Sequence, residues 1–381
     1  MSKPRTVSLA CAALAIVCLA IIVFAQIAGP AFAQQRPSAE AALKQKVNAN
    51  TVAILGGSNA DASLHMAHDI LRAIGDGDDL RILPVSGSGG LQTVRDILYL
   101  QDKDIGFINI DALNSLKQNK RYKKIIDRTA YISKLHNEEF HLISDRKITS
   151  VQDLKGKVVA FHGGGSLASG RLLLDSLKIK PAKSIEMPMD EAALRIKSGE
   201  VDAVLCVTGK PFGDLEHLLK LNSELRLVPI EYAEPLQQVY LPATLTAEDY
   251  PGLVAAGQSV NTVAIGAVLA VNNLPPGTDR YRRLEKFVKA FFSKFDKLAA
   301  RKDRHPKWSE VNLAARLPGW QRFKPAADWL AANRKAVATQ KELRAQFAEF
   351  LEAYRQKDPQ TEVAPDELFK QFVDWQKSRG R

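Results

Sequence analysis

From Thr51 onward, short apolar runs alternate with amphipathic runs of helical period, and three of the joints are glycine-rich turns. This alternation constrains the fold most. Strand–helix–strand units wind into an open, largely parallel sheet covered by helices, an α/β architecture. Thr51-Val-Ala-Ile-Leu55 reads as a strand ending at Gly56-Gly57. Ser58, Asn59 and Asp61 are N-cap residue types for a helix carrying Leu64, Ala67, Leu71 and Ile74, closed by Gly75. A second unit has the strand Arg81-Ile-Leu-Pro-Val85, the turn Ser86-Gly-Ser-Gly-Gly90 and a helix over 91–100. A third strand spans 104–110 and ends at Asp111.

Near Ile143-Ser-Asp145 the pattern predicts passage into a second lobe. Ser150 caps a short helix. Lys157-Val-Val-Ala-Phe161 is a strand, His162-Gly-Gly-Gly165 a turn, and 166–177 a helix. Asp190 caps a helix over 191–197, and 201–207 is the next strand. The stretch 240–261, with Pro242 and Pro251-Gly252, predicts the return crossing. The apolar run 262–271 and a helix carrying Leu284, Phe287, Val288, Phe291, Phe295 and Leu298 then rejoin the first lobe. The expected division is lobe I over 48–143 and 262–330, and lobe II over 144–261. Two crossings make a hinge, the mechanical basis of closure on a ligand. A helical extension is expected over 331–381: Leu343, Phe347, Phe350, Leu351 and Tyr354 mark one amphipathic helix, and Leu368, Phe369, Phe372 and Trp375 another. This pair folds back on the first lobe or forms an arm that contacts a partner.

The leader defines the compartment. Lys3 and Arg5 precede an apolar run over 7–27, Gly29 and Pro30 break it, and Ala31-Phe-Ala33 presents a signal-peptidase site. Residues 1–33 are therefore expected to be a signal peptide, giving a periplasmic protein; an uncleaved inner-membrane anchor is the alternative. Removing the leader leaves 348 residues, enough for two lobes, and lowers the formal charge from +11 to +9. Export argues against a nucleic-acid partner, and the dispersed basic residues read as a solvated surface that steers anions. Cys206 is the one cysteine left, so no intramolecular disulfide is expected. Its apolar run makes it a buried hydrophobe.

Each glycine-rich turn follows a strand and opens a helix, the arrangement in which unpaired N–H groups at the positive end of a helix dipole hold a carboxylate or phosphate. The turns would gather at the carboxyl ends of the strands. None fits a P-loop or a dinucleotide fingerprint. Gly89, Gly90, Gly163, Gly164, Gly165 and Ser166 are thus candidates to clamp an anion through backbone amides. His162-Gly-Gly-Gly165 is similar to the oxyanion-hole motif of lipases, but the G-x-S-x-G nucleophile elbow is absent, so a serine hydrolase using Ser166 ranks last. His65 and His68 lack a third metal ligand in the pattern. His136 and His141, flanking Glu138-Glu139, read as surface polarity in a hairpin or hinge. Neither catalysis, nor a metal, nor a cofactor is expected.

With these turns placed, the chain resembles the TAXI-type solute receptors of tripartite ATP-independent periplasmic (TRAP) transporters from about Thr51 to Leu298. The matching segments are Gly56-Gly-Ser58, Gly87-Ser-Gly-Gly-Leu-Gln-Thr-Val94, Ile105-Gly-Phe-Ile-Asn-Ile-Asp111, Gly163-Gly-Gly-Ser166, Glu191-Ala-Ala-Leu-Arg-Ile-Lys-Ser-Gly-Glu-Val-Asp-Ala203, Thr208-Gly-Lys-Pro211, Tyr250-Pro-Gly252 and Asn261-Thr-Val263. The resemblance implies a two-lobed type II periplasmic-binding-protein fold, a glutamate-like or other carboxylate solute, and membrane permease subunits as partners. It implies a pocket of Ser58, Asn59, Gly89, Gly90, Asp111, Ser166 and Thr208, with Asp111 orienting an amine or hydroxyl or acting as a cap. Departures from the family pattern at Gly90, Thr93 and Gly164 remove hydroxyl and amide donors, which leaves the identity of the solute open. A ligand-sensing envelope module uncoupled from transport is the alternative function.

Overall fold

The computed structural model describes residues 38–57, 61–75, 77, 79–118, 123–145, 147–213, 215–333 and 350. The leader, Ser58, Asn59 and the C-terminal extension, apart from its first residues and Phe350, lie outside these residues. Helix α1 (Ala39–Asn50) begins where the Ser38 hydroxyl accepts the Ala41 N–H, and it buries no side chain.

From Ala49 on, the repeating units form one continuous sheet. Strands β1 (Thr51–Leu55), β2 (Arg81–Val85) and β3 (Ile105–Asn109) are parallel, linked by α2 (Ala62–Ile74) and α3 (Gly90–Tyr99). After β3 come α4 (Ile110–Gln118) and α5 (Lys123–Asp127), then a long strand, β4 (Thr129–Ser144). A second parallel set follows: β5 (Val158–Phe161), α6 (Gly163–Ser176), β6 (Lys183–Glu186), α7 (Met189–Ser198) and β7 (Ala203–Thr208). Helix α8 (Leu215–Leu221), β8 (Arg226–Val228), β9 (Leu241–Thr246) and a second long strand, β10 (Ser259–Asn272), complete it. The helices α9 (Asp279–Ser293), α10 (Phe295–Ala299) and α11 (Lys324–Ala332) return to the first half.

The sheet order is β2-β1-β3-β10-β4-β7-β5-β6, with β8 on β4 and β9 on β10. The two long strands are therefore shared. β4 pairs with β10 over Thr129–Glu139 and with β7 over Glu139–Ser144, so it changes lobes near Asn137. β10 pairs with β3 over Ala267–Val271 and with β9 over Ser259–Ala264. Both crossings run through extended backbone hydrogen-bonded in the sheet. Each half is a parallel sheet closed by an antiparallel long strand and covered by helices on both faces. This is the two-lobed type II periplasmic-binding-protein fold.

Four apolar clusters cover the two faces of the two halves, and strand alternation assigns residues among them. In β10, Leu269 and Val271 join Met66, Ile70, Phe287, Phe291 and Trp308, while Val268 and Ala270 face Val94, Ile97 and Leu113. In β7, Leu205 and Val207 pack with Phe161 and Leu173, while Val204 and Cys206 pack with Ala192, Ile196 and Leu218. The free Cys206 is buried. Strands covered on both faces carry near-continuous apolar runs, and β7 is buried at all six positions. Strand β4 departs from this pattern. His136, Glu138, Glu139 and His141 are all buried within it, which corrects their reading as surface polarity.

Candidate functional site

Two glycine turns meet where α3 and α6 begin. Gly89 and Gly90 have φ of 74° and 55°, left-handed values open to glycine without steric cost. They turn the chain from β2 into α3. Gly163, at φ 78°, begins α6 three residues earlier than the pattern suggested, so Gly163–Gly165 form its first turn. The Gly165 N–H donates to the Ser88 carbonyl at 3.0 Å. A Cβ on Gly164 would lie 2.7 Å from that same carbonyl oxygen, and one on Gly89 would lie 3.0 Å from the Gly165 nitrogen. These glycines therefore let the lobes touch backbone to backbone.

Behind this contact lies a cavity of about 50 Å³ lined by both lobes. At roughly 10–15 Å³ per water position, it has room for a few waters or part of one small solute. From lobe I come Gly57, Asp61, Ser63, Ser88–Gly90, Phe107 and Asn109; Glu138 comes from the crossing strand, and His162, Gly163, Gly165, Ser166 and Val207 come from lobe II. Gly87, Ser88 and Gly89 also line a larger groove of about 760 Å³, together with Gln92, Lys103, Gly164 and Arg171. Local hydrogen bonds hold the walls. Ser63 Oγ accepts the Gly57 N–H at 2.8 Å, and Ser166 Oγ accepts the Val207 N–H at 2.9 Å. A Cβ at Gly57 would overlap the Asp61 carboxylate, so a side chain there would have to displace that carboxylate.

The structure brings Gly89, Gly90, Gly163, Gly165 and Ser166 to this cavity, and Gly164 to the adjoining groove. Asp111 and Thr208 are used differently. The Asp111 carboxylate accepts from Ser169 Oγ at 2.8 Å, the Ala112 N–H at 2.6 Å and Tyr240 Oη at 3.3 Å. Burial pushes its pKa up to about 6 against these hydrogen bonds. Thr208 Oγ1 accepts the Ala62 N–H at 3.1 Å, so a lobe II hydroxyl satisfies the first turn of α2 in lobe I. Both residues thus join the lobes, and neither is part of the cavity wall. Ser58 and Asn59 lie outside the described residues.

The sequence reading missed Asp61, Asn109 and Glu138 as wall residues. Asp61 and Asn109 sit at the ends of recognised elements and were legible by position. Glu138 was not. Burial raises its pKa to about 7, opposed by a hydrogen bond from Asn109 and the positive field of Lys307. His136 is fully buried beside it, with Nε2 3.5 Å from Glu138 Oε1 and its pKa lowered by burial to about 3, so it is neutral. The Lys307 ammonium itself pairs with Glu139 at 2.5 Å and Glu310 at 2.6 Å. Among the described residues lining the cavity there is no lysine or arginine. Nor, among the described residues, does any group of three His, Cys, Asp or Glu side chains form a metal site.

Solved structures of similar shape include a Bordetella bronchiseptica RB50 protein (16% identity, 76% of this chain and 91% of that one, TM-score 0.43). Another is a substrate-binding protein of an ABC uptake transporter from Streptococcus pneumoniae with bound histidine (12%, 72% and 98%, TM-score 0.41). A third is the arginine-bound form of truncated ArgBP from T. maritima (12%, 67% and 99%, TM-score 0.40). A search of curated proteins by sequence gives no match. The sequence profile of one family matches residues 68–321, a span running from α2 through both crossings to the strand-like segment before α11 and containing most of the cavity wall, so the chain belongs to the NMT1-like family.

Proposed function

We propose that this protein is an exported solute-binding receptor that closes two lobes on a small carboxylate-bearing solute and presents it to TRAP-type membrane permease subunits. The observation that carries the reading is the convergence of two helix N-termini, one from each lobe, on a single cavity. Helices α3 and α6 both start there on glycine turns, where backbone N–H groups and the helix dipole favour a negative charge. Gly89, Gly90, Gly163 and Ser166 bring those amides to the cavity wall. The shared strands β4 and β10 act as the hinge. A binding role suits the chemistry better than hydrolysis, because Ser166 Oγ is engaged by the Val207 amide. Among the described residues, no helix is long and apolar enough to cross a membrane. Delivery to a separate permease then requires export through the leader.

The test is a thermal-shift series on the purified protein with glutamate, glutamine, 2-oxoglutarate, C4-dicarboxylates and phosphate. A solute at about 100 times its Kd adds about 2.7 kcal/mol to the folded state. A stabilisation of that order by one carboxylate supports the receptor reading. A flat series across all of these compounds would sink it.

A further inference from the structure

We infer that a groove on lobe I, away from the lobe junction, is a second binding site, for a small amphiphilic anion with a carboxylate or phosphate head on an apolar body. This goes beyond the receptor reading and does not depend on it.

The groove holds about 630 Å³, within the roughly 300–1,000 Å³ of small-molecule sites. Tyr131 at the start of β4, Leu317 and Trp320 from the segment between α10 and α11, and Leu330 of α11 give it an apolar, aromatic lining. Among the described residues, it shares no wall residue with the inter-lobe cavity. Arg322 and the α11 wall lie beyond residues 68–321, so this part of the groove is outside the family pattern.

Hydrogen bonds fix the walls in place. The Tyr131 N–H donates to the Gln321 carbonyl at 3.0 Å, and the Phe323 N–H donates to the Tyr131 carbonyl at 2.8 Å. Tyr131 Oη accepts the Leu317 N–H at 3.1 Å, and Trp320 Nε1 donates to Asn114 Oδ1 at 3.1 Å. Arg322 lies over the Tyr131 ring, 4.7 Å from its centroid, and donates to the carbonyls of Ile132 and Leu313.

Two arginines set the charge of the groove, and the described lining residues include no aspartate or glutamate. Arg322 is held in the wall, whereas Arg316 is exposed. Burial lowers the Arg322 pKa, and the positive charge of Arg316 lowers it further. An anion between two such like charges relieves their repulsion. The Arg316 guanidinium offers it a planar fork of donors, while Trp320 and Leu330 take the apolar body out of water. The C-terminal extension is the competing occupant. Its described residue Phe350 is 5% exposed but is not part of the groove wall, so that side chain is covered elsewhere.

Isothermal titration calorimetry on the purified protein tests this with phenylacetate, hexanoate and phenyl phosphate. Each is compared with a neutral counterpart, 2-phenylethanol for the aromatic anions and hexan-1-ol for hexanoate. At least one anion should bind with a Kd of about 1 mM or tighter and exceed its neutral counterpart by about tenfold or more. A preference for either head supports the inference and names the head. Arg316→Gln should weaken that binding by about tenfold, and Ala327→Trp, which places an indole on the groove wall, should abolish it. Both positions are exposed, so the circular dichroism of each variant should match wild type. Should Ala327→Trp not fold, Arg316→Gln and the neutral counterparts decide. No binding by any of the three anions, or equal binding of the neutral counterparts, would overturn the inference. Anion binding that persists in both variants would place the anion elsewhere and overturn it as well. Each of these failures leaves the inter-lobe receptor reading standing.

Discussion

The Gly165 amide donates to the Ser88 carbonyl at 3.0 Å, one hydrogen bond joining the first turn of α6 to the turn that leads into α3 in the other lobe. This contact is possible because Gly164 and Gly89 carry no side chain at the point of approach. Closure of the two lobes therefore depends on glycine as strongly as any anion contact would.

Gly164→Ala tests that dependence. The added methyl would lie 2.7 Å from the Ser88 carbonyl oxygen, a backbone atom with little room to yield. Overpacking of this kind costs about 1–3 kcal/mol, and the lobes can relieve it by separating. The expected outcome is a solute affinity lower by about tenfold or more, with a larger radius of gyration in small-angle scattering. Unchanged affinity and unchanged radius would show that the turns need not touch.

Glu138 makes stability depend on pH in a defined direction. Its folded-state pKa of about 7 lies above the ordinary 4.5, so the folded protein binds this proton more tightly than the unfolded chain. The stability it contributes is complete below about pH 4.5 and is lost as pH rises through about 7. Asp111, raised from 3.8 to about 6, acts in the same sense. His136 and His141, lowered to about 3 and about 4, act oppositely below pH 6.5. The difference between Glu138→Gln and wild type isolates the one group. It should grow in favour of the variant from pH 4.5 to 7 and level off above, by about 3 kcal/mol at most, taking 1.36 kcal/mol per pH unit. A pH-independent difference would contradict the buried, unpaired state of this carboxyl.

Much of the fold was legible because its strands obey simple rules. Thr51–Leu55 and Arg81–Val85 are short apolar runs bounded by turns, and the structure places strands on these residues. The turn before α3 also stands where the sequence put it, whereas Gly163–Gly165 belong to the first turn of α6. Strand β4 was hidden for a physical reason. His136, Glu138 and Glu139 look like solvent-facing residues, and only distant partners make their burial tolerable. Lys307, which pairs with Glu139, lies 168 positions away, and no local periodicity encodes such a pairing. The helix starts at the cavity could therefore be read from the sequence, whereas the buried Glu138 could not.

Asp111 is expected to matter for folding more than for recognition. Asp111→Ala leaves the donors of Ser169, Ala112 and Tyr240 without their acceptor. Each unsatisfied buried donor costs about 1–3 kcal/mol, so denaturant unfolding should show a loss of at least about 2 kcal/mol. Solute affinity should change by less than about threefold. A large loss of affinity at unchanged stability would move Asp111 into the ligand shell.

Lys307 holds lobe-crossing strand β4 to the segment after α10 through Glu139, and it also pairs with Glu310 of its own turn. Lys307→Met strands the buried Glu139 carboxylate, at a cost of about 3–5 kcal/mol for a broken buried pair. The double variant Lys307→Met, Glu139→Gln should recover a substantial part of that loss in chemical denaturation. A double variant as unstable as the single one would show that the pair is not the source.

The most direct test of the account is a crystal structure of the protein with the solute that stabilises it most. The predicted result is that solute enclosed between the lobes. Its carboxylate should lie within hydrogen-bonding distance of the amides at Gly89–Gly90 or Gly163–Ser166. Solute bound in the outer groove beside Lys103 and Arg171, or away from the lobe junction, with the inner cavity unchanged, would contradict it.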